Sequence, residues 1–313
     1  MKIAIAGAGA LGSSFGFMLH QEGNDVTLID GWDTHIDTIR ENGLTFDYQD
    51  ENKNAKIPIY YPHELNDLNT EFELIILLTK AMQLDNMIKA IQSNITEKTS
   101  ILCLLNGIGH DEIVKKYVAT ENFILGNTMW SAELIAPGHV KLHSEGSINL
   151  KNMHPDGKVV AQKVVETLSA SGLVARYAED VLHAIYKKLC VNATLNGLCT
   201  ILDANIAGLG ATSTAKSMIQ NIVSEIVAVA KHDDVQLDLE EIMSSIRSTF
   251  NPDGIGVHYP SMYQDLIKNN RTTEIDYING AITRIGAKYG IATPYNSFLA
   301  DLVKSKEDIL GAK

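Results

Sequence analysis

The residues best suited to chemistry lie in one apolar segment, IYKKLCVNATLNGLCTIL, which spans residues 185–202. Lys188, Asn192 and Asn196 are spaced i, i+4 and i+8, so on a helix they form a single stripe. The rest of the segment is apolar nearly all round, which is typical of a buried helix. A buried ammonium and two buried amides need polar partners, and a bound polar ligand would supply them. The alternative is a solvated stripe on an ordinary amphipathic helix.

A carboxylate in a later segment is the predicted partner of this ammonium. Glu274 lies four residues before Ile278, on or beside the apolar face of a predicted helix. That helix is predicted to begin near Thr272 and to end at Gly290. A carboxylate on a buried face is costly unless it is paired, and Lys188 is the partner we select. The alternative is an exposed first-turn glutamate that the helix dipole favours.

A serine upstream of this helix is a candidate for binding an anion. Ser261 opens a short predicted helix, SMYQDLIK, directly after Tyr259-Pro260. A hydroxyl and unpaired backbone N–H groups at a helix start suit a carboxylate ligand. The alternative is a routine N-cap serine.

The N-terminal segment contains a glycine-rich turn between a strand and a helix. In this context G-x-G-x-x-G indicates dinucleotide binding, with the pyrophosphate at the helix N-terminus. Asp30 follows the next strand, where a carboxylate accepts hydrogen bonds from ribose hydroxyls and repels a 2′-phosphate, which favours NAD over NADP. The alternatives are a glycine-rich packing turn and an Asp30 that only caps the following turn. The turn is Gly7-Ala8-Gly9-Ala10-Leu11-Gly12.

Two further strand ends carry polar residues. Lys80 follows the apolar run ELIILL, and Asn106 follows SILCLL. Ligands of open α/β sheets bind beyond the carboxyl ends of the strands. We therefore expect Lys80 to contact the cofactor and Asn106 to lie near the nicotinamide or the substrate, although either residue also suits a helix cap.

The pattern of elements predicts an α/β fold in two domains. Continuous apolar runs alternate with helix-length segments over the first 130 residues, which indicates a doubly wound parallel sheet of the Rossmann type. Residues 139–143 and 147–150 resemble a short hairpin around Ser144–Gly146. The pattern of residues 181–313 predicts helices. We therefore predict a dinucleotide-binding domain at 1–179 and an all-helical substrate and dimerisation domain at 180–313.

Composition limits the classes of partner. Lys and Arg number 26 against 38 Asp and Glu, a formal net charge of −12, which argues against a nucleic-acid or anionic-membrane partner. No apolar run approaches the roughly 20 residues of a membrane helix. Cys103, Cys190 and Cys199 have no metal-ligand spacing, so we predict reduced buried thiols, no metal and a cytoplasmic location.

Several blocks together resemble the ketopantoate reductase (2-dehydropantoate 2-reductase) family, essentially end to end. The resemblance implies a Rossmann domain followed by a helical domain. It implies that Lys188 protonates a 2-keto oxygen, that Glu274 helps hold this lysine, and that Asn192, Asn196 and Ser261 bind the substrate. Lys80 and Asn106 match residues near the cofactor and the active site. The blocks are GAGALG (7–12), LLTKAMQ (77–83), LLNGIGHDE (104–112), YKKLCVNATLNGLCTIL (186–202) and PSMYQDLIKNNRTTEIDYINGAI (260–282).

Departures from the commonest members suggest a branch of the family. Those members use NADPH and carry a basic residue after the second strand, where this chain has Asp30-Gly31-Trp32. Gly197 and His258 also replace residues common in the family. The chain looks closer to NAD-dependent D-2-hydroxyacid dehydrogenases that act on branched-chain or aromatic 2-keto acids, including benzoylformate. By analogy with the fold we also expect a homodimer.

Three alternatives stay open at this point. The first is an NADPH-dependent 2-dehydropantoate 2-reductase of pantothenate synthesis. The second is a β-hydroxyacid dehydrogenase, which also combines a Rossmann domain, a helical domain and a Lys-x3-Asn pair, although the TEID block with Glu274 favours the first family. The third is a non-catalytic nucleotide-sensing or scaffold protein.

Overall fold

The computed structural model describes residues 1–68, 70–143 and 145–313. The chain forms two compact units. The first unit contains residues 1–105 and 110–181, and the second contains residues 106–109 and 182–313. The predicted boundary at 179/180 therefore lies two residues before the change of unit at 181/182. Residues 106–109 belong to the second unit, which the predicted boundary did not include.

The strands lie in two sheets of the first unit. One sheet has eight strands in the order β12-β11-β8-β7-β6-β1-β2-β5, and the other has four in the order β4-β3-β10-β9. The strands are Lys2–Ala6 (β1), Asp25–Ile29 (β2), Leu44–Tyr48 (β3), Glu51–Ala55 (β4), Ile59–Tyr60 (β5), Leu74–Leu77 (β6), Ser100–Cys103 (β7), Phe123–Thr128 (β8), Ala132–Ala136 (β9), His139–Leu142 (β10), Ile148–Asn152 (β11) and Ala175–Tyr177 (β12).

The larger sheet confirms the predicted Rossmann architecture. From β5 through β2, β1, β6 and β7 to β8 every neighbouring pair is parallel, which is the doubly wound strand order. All four residues of β6 and of β7 are buried, as expected of strands covered on both faces. β11 then adds antiparallel to β8, and β12 adds parallel to β11.

Helices cover this sheet between the strands. The first helix begins directly after the glycine turn, and its Phe17 stacks on Phe46 of β3 with ring centroids 4.7 Å apart. The helices of the first unit are Ala10–Gln21 (α1), Asp33–Asn42 (α2), Leu84–Ala90 (α3), Asp111–Val114 (α4) and Lys158–Ala170 (α5).

The predicted hairpin of residues 139–143 and 147–150 is wrong. β10 pairs with β9 and β3 in the smaller sheet, whereas β11 pairs with β8 and β12 in the larger one. Ser144, in the predicted turn, lies outside the described residues. The alternation of buried and exposed side chains marks a strand but does not specify its partner, so the two strands were joined only because they are adjacent in sequence.

The described part of the second unit is helical, which confirms the prediction for residues 181–313. Its helices are Val181–Leu202 (α6, beginning at the last residue of the first unit), Ile206–Gly210 (α7), Ala215–Ala230 (α8), Leu239–Ser248 (α9), Ser261–Tyr263 (α10), Asn279–Tyr289 (α11) and Pro294–Leu310 (α12). A π-helical turn, Gln264–Lys268, follows α10 directly. Within the described ranges, no helix combines the length and apolar character that crossing a membrane requires.

The helix predicted to begin near Thr272 begins later. A 3₁₀ turn covers Ile275–Tyr277, and α11 begins only at Asn279. The reason is the backbone of Ile278, whose φ of −105° and ψ of −91° are not helical and separate the two segments. Gly290 ends α11 in the left-handed conformation, as predicted.

A buried polar network ties α11 to α6. The side-chain N–H groups of Asn279 donate to the carbonyl oxygen of Ala193 and to Oδ1 of Asn296, both at 3.0 Å. Glu225 of α8 in turn accepts the backbone N–H groups of Tyr295 and Asn296 in the first turn of α12. These hydrogen bonds fix the start of α11, and with it the preceding turn, against the helix that carries the polar stripe.

Candidate functional site

The polar stripe predicted from the sequence lies on α6. Asn196 is buried at 6% exposure, and Lys188 and Asn192 are half-buried. Leu189, Cys190 and most of the residues after them are buried, so the stripe runs along a helix enclosed on its other faces. The alternative of an ordinary solvated stripe does not describe this helix.

Lys188 has the most perturbed ammonium of the unit. Burial lowers its pKa from the usual range to about 8, because removing water disfavours the charged form, and the negative charge of Glu274 opposes this effect. Glu274 is itself buried at 8% exposure, immediately before the 3₁₀ turn of Ile275–Tyr277. It is therefore not the exposed first-turn glutamate of the alternative interpretation.

Asn106 joins this pair through the short segment 106–109. Its side-chain Nδ2 lies 3.5 Å from Oε2 of Glu274. The backbone N–H of Ile108 donates to the carbonyl oxygen of Tyr277 at 3.2 Å. Between them, Gly107 has a φ of +92°, and a Cβ there would overlap that same carbonyl oxygen. A glycine is therefore required for the segment to reach the turn that follows Glu274.

Ser261 occupies a different position from the one an N-cap serine would take. It is exposed and is the first residue of α10, with Pro260 as the N-cap. The hydroxyl of Tyr263, two residues later, donates to Oδ1 of Asp203 at 2.6 Å, directly after α6. Ser261 is thus linked to the end of α6 through Tyr263, whereas Asn106 lies beside Glu274, whose charge acts on Lys188.

The glycine turn of the first unit has the geometry that a pyrophosphate requires. Gly7 has a φ of +100°, and a Cβ there would overlap the backbone at Leu78–Thr79. A Cβ at Gly12 would overlap the carbonyl oxygen of Gly7, so the third glycine allows the close packing of α1. Gly9 is exposed, and no atom lies within 4 Å of its ideal Cβ position. Ala10 and Leu11 then begin α1, and the first backbone N–H groups of a helix have no partner within it, which suits an anion.

The residues that directly follow β2 and β6 include the other predicted cofactor contacts, Asp30 and Lys80. Oδ1 of Asp30 accepts the backbone N–H groups of Gly31 at 2.8 Å and Trp32 at 3.0 Å, so the residue caps its own turn with one oxygen. Lys80 is half-buried before the 3₁₀ turn Ala81–Gln83. Thr79, beside it, is buried, and its hydroxyl has no hydrogen-bond partner in the described structure. Sequence reasoning selected Lys80 from this pair because of its charge and did not select Thr79.

The three cysteines are buried, as predicted. Burial raises the pKa of each thiol to about 12, which makes them unreactive at neutral pH. Among the described residues, no group of three or more His, Cys, Asp and Glu side chains is arranged to hold a metal ion.

Comparison with known proteins assigns the family. Residues 3–155 match the model of the family described as Ketopantoate reductase PanE/ApbA, and residues 180–307 match its C-terminal model. The chain belongs to the ketopantoate reductase family. It is therefore an oxidoreductase, and the two matched segments correspond to the α/β part and the helical part of the fold.

Individual ketopantoate reductase relatives cover the whole chain. The 2-dehydropantoate 2-reductase of Lactococcus lactis is 53% identical over 100% of both chains, and that of Streptococcus pyogenes is 41% identical over 99% of both. Among solved structures, a D-mandelate dehydrogenase with NADH and anilino(oxo)acetate is 54% identical, with a TM-score of 0.96 and full coverage of both chains. This chain is thus similar both to proteins named 2-dehydropantoate 2-reductase and to one named D-mandelate dehydrogenase.

Proposed function

We propose that this ketopantoate reductase family member is an NAD-dependent dehydrogenase that interconverts 2-keto acids and D-2-hydroxy acids. The observation that carries the proposal is the ammonium of Lys188, whose pKa is lowered to about 8 by burial against the opposing charge of Glu274. At neutral pH such a group is protonated, yet its acidity is close to the operating pH, as a general acid requires.

Lys188 is the proposed proton donor to the keto oxygen. Negative charge develops on that oxygen during reduction, and one preorganised donor of this kind lowers the barrier by roughly 3–4 kcal/mol. Glu274 keeps the ammonium charged, and the Nδ2 of Asn106 beside Oε2 of Glu274 holds the carboxylate in place. The burial of Glu274 and of Tyr186, Leu189 and Cys190 limits the access of water to this pair.

The remaining polar residues are proposed to bind the substrate. Asn192 and Asn196 share a helix face with Lys188, so their amides would hold the polar groups next to the keto oxygen. Ser261 is exposed at the start of α10, and its hydroxyl is proposed to bind the substrate carboxylate.

The glycine turn is proposed to hold the cofactor. Gly7, Gly9 and Gly12 shape the turn, and the backbone at Ala10 and Leu11 supplies N–H groups to the pyrophosphate. The second carboxylate oxygen of Asp30 would accept the ribose hydroxyls, and Lys80 would contact the cofactor beyond β6. When bound, the nicotinamide supplies the hydride that reduces the carbonyl carbon.

Two observations support NAD and a 2-hydroxy acid of the mandelate type. Asp30 places a carboxylate, with no Lys or Arg before Arg40, where NADPH would bring its 2′-phosphate. A D-mandelate dehydrogenase solved with NADH is 54% identical to this chain and covers all of it.

A second candidate is an NADPH-dependent 2-dehydropantoate 2-reductase. The observation that favours it is the 53% identity to the Lactococcus lactis protein of that name over the full length of both chains.

A substrate-by-cofactor panel separates the two candidates. Steady-state rates are measured with ketopantoate, 2-ketoisocaproate and benzoylformate, each with NADH and with NADPH, and the product is analysed on a chiral column. We expect the highest kcat/KM with NADH and a branched-chain or aromatic keto acid, and a D product. A highest kcat/KM with ketopantoate and NADPH would establish the second candidate instead.

The predicted homodimer and cytoplasmic location are separate expectations, and the homodimer is checked by light scattering against the chain mass of 34.3 kDa.

A further inference from the structure

One peptide group of the glycine turn is held from inside the protein. The carbonyl oxygen of Ala8 accepts a hydrogen bond from Oγ of Ser13 at 2.6 Å, and Ala8 and Ser13 are both completely buried. The peptide unit is planar and trans, so the Ala8 carbonyl and the Gly9 N–H point in opposite directions. Because the buried serine fixes the carbonyl inward, the N–H of exposed Gly9 is directed to the open side of the turn.

A buried histidine lies behind this serine. His35 of α2 is 1% exposed, and its Nε2 lies 3.3 Å from Oγ of Ser13. Its Nδ1 accepts the backbone N–H of Gly138 at 3.0 Å. A backbone N–H can only donate, so Nδ1 is unprotonated and the ring proton is on Nε2. His35 therefore donates to Oγ of Ser13, which leaves the hydroxyl proton directed at Ala8.

We propose that Ser13 and His35 are positioning residues for the cofactor, with His35 orienting the Ser13 hydroxyl and Ser13 orienting the peptide whose Gly9 N–H binds the pyrophosphate. The inference rests on the proposed binding of a dinucleotide at the glycine turn. It goes beyond that proposal because neither side chain belongs to the G-x-G-x-x-G pattern or is exposed to the ligand.

We call the chain of hydrogen bonds from His35 through Ser13 to Ala8 the relay. The protonation state of His35 gives this relay a pH dependence. Burial lowers the pKa of His35, while the charge of Asp30 at the end of β2 and a hydrogen bond with the backbone of Ala8 oppose this shift. The other groups facing the ring are the Ser13 hydroxyl, the Gly138 N–H and the parallel ring of Trp32, with centroids 5.3 Å apart. A second ring proton would point Nδ1–H at the Gly138 N–H and break that hydrogen bond. Cofactor affinity is therefore expected to fall in acid as the ring becomes charged.

The test compares NADH dissociation constants, measured by fluorescence titration at pH 7.5, in Ser13→Ala, His35→Phe and the double variant. We expect each single variant to bind NADH about three- to tenfold more weakly, because one orienting hydrogen bond is lost. The double variant should bind no more weakly than Ser13→Ala, because both residues act on one peptide. kcat at saturating NADH should change less than twofold. The matched control is Ser14→Ala, which removes another buried hydroxyl that donates to a carbonyl, that of Ala10, inside α1.

The pH profile distinguishes orientation from general stability. NADH binding by the wild type should weaken as the pH falls below 6.5, the ordinary pKa of histidine, because burial lowers the pKa of His35. This loss should be reduced in Ser13→Ala and His35→Phe. His35→Gln keeps an amide donor and should recover part of the affinity without the acid dependence. If His35→Phe does not fold by circular dichroism, the affinity and pH profile of Ser13→Ala decide the question.

The outcomes separate this inference from the proposed function. Wild-type affinity in Ser13→Ala and His35→Phe, or fully additive losses in the double variant, would overturn the relay alone. If the wild type binds neither NADH nor NADPH, the proposed function fails and the relay fails with it. If NADPH proves to be the cofactor, the same titrations with NADPH carry the same expectations for both variants.

Discussion

The ammonium of Lys188, the proposed proton donor, should determine how the reaction responds to pH. Its pKa is lowered to about 8, so the proton donor is present below pH 8 and is lost as the pH rises through that value. We therefore expect kcat/KM for keto-acid reduction to fall above about pH 8, and the oxidation of the hydroxy acid, which needs the neutral amine as base, to rise over the same interval.

Glu274 should set the pH at which kcat/KM for reduction falls, which is the alkaline limb of the pH profile. Its charge raises the pKa of Lys188, so Glu274→Gln should move the limb to lower pH. The measurement is the pH profile of kcat/KM at saturating cofactor for wild type and variant. An unmoved limb would mean that another group titrates.

Replacing Lys188 itself tests its role as acid rather than as binding group. Lys188→Ala should lower kcat by about 10²- to 10³-fold, the usual loss for one preorganised donor. Lys187→Ala is the matched control, because Lys187 is the adjacent lysine of α6 and pairs with Glu241. We expect the control to keep kcat within twofold. An increase confined to KM in Lys188→Ala would make the residue a substrate ligand.

The elements of the fold were predictable to different degrees. Strands such as β6 and β7 were evident because buried parallel strands are continuous apolar runs. The smaller sheet was missed because β4 is mostly exposed and polar, ENKNA, and its pairing with β3 leaves no apolar run. The late start of α11 was missed because the spacing of Ile275, Ile278 and Ile282 is helical although the backbone at Ile278 is not.

The candidate site was predictable as residue types but not as contacts. Helical spacing placed Lys188, Asn192 and Asn196 on one stripe, and the buried Glu274 was selected as its counter-charge. The contact of Asn106 with Glu274 joins residues 168 positions apart, and it depends on a glycine backbone that a sequence pattern does not reveal. His35 and Ser13 were missed because a buried histidine on a helix has no distinctive spacing.

The segment 106–109 offers a test of how an element positions Asn106. Gly107→Ala should lower kcat/KM by more than tenfold, because the added Cβ would push the segment away from the Tyr277 carbonyl. Gly109→Ala is the control: Gly109 also has positive φ, +86°, but no atom lies within 4 Å of its Cβ position. Placing an alanine at positive φ costs about 1–2 kcal/mol in both variants. The two therefore differ only in whether the added Cβ overlaps the Tyr277 carbonyl. Equal losses of activity in the two would show that strain, not displacement of Asn106, is responsible.

If the chain binds the proposed cofactor, its stability should depend on the cofactor concentration. A ligand that binds only the folded state stabilises it by about 2.7 kcal/mol at a hundredfold excess over Kd. NADH should therefore raise Tm, and NADPH at the same concentration should raise it less, because the Asp30 carboxylate repels a 2′-phosphate.

A substitution that removes the charge of Asp30 isolates its contribution to the difference between the Tm rises with NADH and NADPH. Asp30→Asn keeps a carbonyl oxygen able to accept the N–H groups of Gly31 and Trp32, so the turn should persist while the repulsion is removed. The gap between the Tm rises with NADH and NADPH should narrow in this variant, measured by differential scanning fluorimetry. Asp25→Asn, at the exposed opposite end of β2, also removes one carboxylate charge and should leave this difference in Tm unchanged. Equal stabilisation of the wild type by the two cofactors would refute the assignment of Asp30 as the group that favours NAD, because its charge would then have no effect on the 2′ position.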